Sequence, residues 1–85
     1  MGCMAMMAFA KTEEEWAERA ARHLKAELKR ADVTYEELAE RLKEHGFDET
    51  KASIANKLTR ATVSAHLFLA SLAAIGKQQV VLDEI

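Results

Sequence analysis

The 85-residue chain contains no proline, three glycines and a single cysteine. With so few turn-forming residues it cannot supply the tight connections of an all-β architecture. The lone Cys3 excludes an internal disulfide, which fits a reducing cytoplasm. Charge of one sign is lacking too. Twelve Lys and Arg stand against fourteen Asp and Glu, a formal net of −2. That balance argues neither for a nucleic-acid-binding tail nor for a membrane-surface peptide. The apolar opening, MGCMAMMAFA, is about half the ~20 residues a membrane span requires. It has no basic residue ahead of its apolar stretch, as a secretion signal would. Met6 stands where the myristoylation pattern wants Ser or Thr. Residues 1–11 are therefore expected to form an apolar arm, and no membrane partner is expected.

What is present is helical periodicity with clear punctuation. Thr12 and Glu15 form a capping box that opens a helix to about Ala31, with Trp16, Ala20, Leu24 and Leu28 as its inward stripe. Thr34 and Glu37 form a second box, and Val33 and Leu38 occupy the positions of a hydrophobic staple. Helix two presents Leu38, Ala39 and Leu42, and Gly46 can end it in the left-handed conformation. Asp48 is the expected N-cap of helix three, which runs to about Thr59 and buries Ile54, Ala55 and Leu58. Helix four runs from Ser64 to Gly76 and is nearly all apolar, so it is expected to be central, with His66 and Ser71 facing out. Val80, Val81 and Leu82 in the tail, 78–85, read as a short strand. The whole predicts an all-α, compact four-helix bundle over residues 12–77.

The chemistry-bearing residues are sparse. His23, His45 and His66 lie 22 and 21 residues apart, a spacing that suits no local metal site, and one cysteine cannot make a classical zinc centre. Glu13, Glu14 and Glu15 sit at a helix start, where the macrodipole favours negative charge. There is no glycine-rich phosphate loop and no nucleophile with a base at readable spacing. No enzymatic activity, metal or cofactor is expected.

Charge distribution is more informative than the total. Residues 1–49 carry eight basic and twelve acidic side chains, whereas residues 50–82 carry Lys51, Lys57, Arg60 and Lys77 and no acid. With Ile54, Ala55 and Leu58 inward, the outward arc of helix three holds Ala52, Ser53, Asn56 and Arg60, with Lys57 at its edge. Cations that reach phosphate beside Asn and Ser that can read base edges suit a helix in a DNA major groove.

Leu28-Lys29-Arg30 followed by Val33-Thr34-Tyr35-Glu36-Glu37-Leu38-Ala39-Glu40-Arg41-Leu42 resembles the opening of the helix-turn-helix in the lambda-repressor/Cro-like family. Ala55 to Ala61 resembles the end of its recognition helix, and Ser64 to Gly76 the helix that closes its core. The layout also resembles a small bacterial family of domains of unknown function. The resemblance implies DNA binding through paired recognition helices that meet successive major grooves about 34 Å apart. Three features depart from the pattern. Lys43–Ser53 is longer than the family's tight turn, and Ala61 stands where Gly is usual. Tyr35 replaces a Gln that helps clamp phosphate; its hydroxyl can donate to phosphate or its ring can pack in the core.

Two functions are thus expected. The first is a small DNA-binding protein, a cytoplasmic transcriptional regulator acting as a homodimer through Tyr35, Lys51, Ser53, Asn56, Lys57 and Arg60. The second is a protein-interaction module that keeps the helical fold without binding DNA. About twenty large apolar side chains outside the first ten residues make a small core, which favours sharing it with a second copy. The expected seam is an antiparallel pairing of Val80–Leu82, covered by the arm Met4–Phe9.

Overall fold

A computed structural model describes residues 9–85. It contains four α-helices: α1, Glu13–Ala31; α2, Tyr35–Lys43; α3, Lys51–Arg60; and α4, Ala65–Ala74. A hydroxyl residue starts each of them. The side chains of Thr12, Thr34, Thr50 and Ser64 accept the backbone N–H three residues on. Thr34 and Glu37 complete the reciprocal box, with N–H donors at 3.1 and 3.4 Å. Glu15 instead takes the N–H of Lys11 at 2.9 Å, one residue before the cap.

The helix ends are equally regular. Asp32, Gly46, Ala61 and Gly76 all have positive φ after their helices. The N–H of the following residue returns to the last turn in each case: Val33 to Leu28, Phe47 to Leu42, Thr62 to Lys57 and Lys77 to Leu72. Gly46 adopts φ 88° with no side-chain penalty, whereas Ala61 holds φ 56° against the preference of an L-residue.

α1 and α2 each pack against both α3 and α4. The shared core contains Leu24, Leu28, Val33, Leu38, Leu42, Ile54, Leu58, Leu67 and Leu72. The staple residues Val33 and Leu38 both belong to it. Trp16 departs from the expected inward stripe: it lies at the start of α1, 42% exposed, with its ring 6.1 Å from that of Phe9.

Three further expectations are corrected. Thr50, not Asp48, caps α3, because Thr50 can bond the N–H of Ser53 while the chain from Glu44 to Glu49 stays outside the helix. α4 is not the central helix. It buries Leu67, Ser71 and Leu72 against α1 and α2 but leaves Leu69 63% exposed, because its two partners cover only one side. Ser71 points inward, fully buried, and its hydroxyl has no hydrogen-bond partner among the described residues.

The tail is not a strand either. Val80 turns back to pack against the core, and Leu82–Glu84 forms a single 3-10 turn. No strand occurs among the described residues. The arm expected over residues 1–11 and its proposed role at a seam fall largely outside the described residues. Of that segment, Ala10 is buried and Phe9 meets Trp16. No described helix is long and apolar enough to cross a membrane.

Candidate nucleic-acid interface

The ends of α3 are fixed by the Thr50 cap and the left-handed Ala61, and its inner face by the burial of Ile54 and Leu58. Lys51, Asn56 and Arg60 are left exposed, while Ser53 and Lys57 are half-buried. Asn56 and Arg60 have no hydrogen-bond or ion-pair partner among the described residues. Their side chains are available to a ligand.

Ser53 and Lys57 are engaged within the chain. The Ser53 hydroxyl donates to Glu49 Oε1 at 2.6 Å and accepts the N–H of Thr50 at 2.8 Å. Lys57 Nζ lies 2.7 Å from Glu49 Oε2. Glu49 precedes the cap and folds back over the first two turns of α3, so it reaches both side chains at once. Burial opposes its ionisation. The hydrogen bonds from Lys57 and Ser53, with the charge of Lys57, outweigh that and hold its carboxyl below the ordinary 4.5. Lys57 therefore presents a neutralised charge.

Lys77 also has a carboxylate partner, but a shared one. Glu27, buried on α1, has Lys77 Nζ 3.6 Å from Oε1 and Arg30 Nη1 3.0 Å from Oε2. His23 Nε2 is 3.7 Å from the same Oε2, and its ring lies 6.2 Å from Phe68. Of the four cations in residues 50–82, only Lys51 and Arg60 lack a carboxylate partner among the described residues. The sequence signal for Glu27 is an acid beside Leu28 and three residues after Leu24, on the apolar side of α1. No comparable signal marks Glu49, whose contact with Lys57 spans eight residues and depends on where α3 starts.

Tyr35 and Lys51 come together. They are the first residues of α2 and α3, and both line a groove of ≈ 550 Å³ with Lys25, Leu28, Lys29, Val33 and Thr34. The Tyr35 ring is half-buried against the core. The expected set thus divides in three: Tyr35 and Lys51 at the groove, Ser53 and Lys57 on Glu49, and Asn56 and Arg60 exposed along α3.

The other histidines lie apart from these groups. His66 stacks on Phe47 with ring centres 6.0 Å apart and has Nε2 3.3 Å from Ser64 Oγ. His45 is exposed. No cluster of three His, Cys, Asp or Glu side chains suited to a metal ion occurs among the described residues.

No curated protein and no solved structure matches the chain. A family match does exist, and it covers the shared core and the four helices from Trp16 onwards: across residues 16–80 the chain belongs to the family described as Domain of unknown function (DUF6471).

Proposed function

We propose that this protein is a small DNA-binding protein, a cytoplasmic transcriptional regulator acting as a homodimer, with α3 as the helix that enters the major groove. In this reading α2, the connection 44–50 and α3 form a helix-turn-helix of the lambda-repressor/Cro-like kind, with an extended turn. The observation that carries it is the outward face of α3, where Asn56 and Arg60 are exposed and unpartnered and Lys51 stands at the start. Asn56 is the residue that reads a base edge, and Arg60 and Lys51 are the phosphate contacts. Tyr35 adds a hydroxyl at the start of α2. Lys57 and Ser53 serve α3 through Glu49 and contribute less than their position on the wheel suggests.

Selection from a random duplex pool tests this. An enriched motif is expected, and Asn56→Ala is expected to relax preference at one position while Arg60→Ala weakens binding to every sequence. A pool that enriches nothing, with no retardation of any duplex at low salt, contradicts it.

The second reading is a protein-interaction module. Two of the four cations behind the DNA reading have carboxylate partners, Lys57 on Glu49 and Lys77 on the Glu27 it shares with Arg30, and Leu69 and Leu82 remain exposed. Salt separates the two. Phosphate binding weakens steeply as salt rises, whereas apolar pairing does not.

A further inference from the structure

The groove lined by Tyr35 and Lys51 has a feature the DNA reading does not use: Lys25 and Lys29, one turn apart on α1, line it as well. None of the three lysines has a carboxylate partner among the described residues. Between them lie the apolar side chains of Leu28, Val33 and Tyr35. Three uncompensated positive charges around an apolar floor favour an occupant that is acidic and carries an aliphatic side chain.

The chain itself contains such a segment. The 3-10 turn Leu82–Glu84 presents Asp83 and Glu84, neither with a cation partner among the described residues, next to Leu82, which is 62% exposed. We propose that the Leu82–Glu84 turn of one copy docks into the lysine-rimmed groove of a second copy. Asp83 and Glu84 meet Lys25 and Lys29 on α1, which leaves Lys51 to phosphate, and Leu82 covers the apolar floor. Two such contacts related by a two-fold axis close a homodimer without any strand pairing. Docking on the α1 side of the groove leaves α3 to DNA, with Asn56 and Arg60, further along the helix, outside the groove lining. The proposal rests on the homodimer part of the functional reading and gives it a surface.

Exposed charge pairs are individually weak, so the association is expected to be concentration-dependent and to loosen with salt. Sedimentation of the full chain across concentration and salt tests it with two charge-reversed variants, all four substitutions lying at exposed positions. One carries Asp83→Lys with Glu84→Lys, the other Lys25→Glu with Lys29→Glu. Each alone is expected to self-associate at least tenfold more weakly than the parent, and an equimolar mixture is expected to recover pairing, since each reversed tail then meets a reversed groove. If the parent dimerises but the variants associate as tightly, or the mixture recovers nothing, the docking mode is wrong and the homodimer stands. A parent chain that stays monomeric at every concentration removes both.

Discussion

Glu49 Oε2 lies 2.7 Å from Lys57 Nζ, and through that contact a residue outside α3 sets the charge of the helix's outer face. The same carboxylate takes the Ser53 hydroxyl, so one side chain ties down the first two turns of the helix.

Replacing Glu49 by Gln is expected to cost about 1 kcal/mol of stability near neutral pH. Hydrogen bonds to a charged group are worth about 1.5–3 kcal/mol, discounted here because Lys57 is 40% exposed. The pH dependence follows from the lowered carboxyl. Its stabilisation is complete above the ordinary value of 4.5 and is lost as pH falls through the lower folded-state value. Thermal melts of parent and variant are expected to differ at pH 7 and to converge as pH falls through the lowered folded-state value. The variant also frees Lys57, so its DNA binding is expected to gain about one unit of salt slope.

Ser71 is fully buried, and its hydroxyl has no partner among the described residues. A buried unsatisfied polar group costs about 1–3 kcal/mol, so Ser71→Ala is expected to be neutral or to stabilise by up to about 1 kcal/mol. Chemical denaturation measures this. A loss above 1 kcal/mol would mean the hydroxyl has a partner.

Leu72 and Leu69 share α4 and differ in environment, at 4% and 63% exposed. Leu72→Ala is expected to cost about 2–5 kcal/mol and Leu69→Ala about 0.5 kcal/mol or less. Equal melting temperatures for the two variants would contradict the orientation of α4.

Ala61 carries a positive φ of 56° at the end of α3. Glycine relieves that strain but gives up a methyl group packed against the core. Ala61→Gly is therefore expected to stabilise by about 0.5 kcal/mol, read from denaturant midpoints.

Among the described residues, helix order and most boundaries were legible because three of the four helices begin on a plain local signal, Thr12, Thr34 or Ser64, and all stop near a residue that leaves the helical conformation. The start of α3 was missed because Asp48 and Thr50 are both good N-caps, and the choice depends on how the loop from Glu44 packs. The orientation of α4 was illegible for a different reason. A helix apolar nearly all round has no dominant face in its sequence, so neighbours alone decide whether Ser71 or Leu69 turns inward. The tail failed as a strand because β-propensity needs a partner strand, and Val80 found the helical core instead. The candidate interface was half legible. Spacing placed Asn56 and Arg60 outward, but the pairing of Lys57 and Lys77 with Glu49 and Glu27 depends on tertiary contacts.

Binding of the full chain to its selected duplex, titrated across salt for the parent and for Arg60→Ala, bears most directly on the claim that α3 contacts DNA. Parent affinity is expected to fall linearly with the logarithm of salt, and the variant to lose affinity with a slope shallower by about one unit. A parent that shows no salt-dependent binding, or a variant with unchanged affinity and slope, would contradict it.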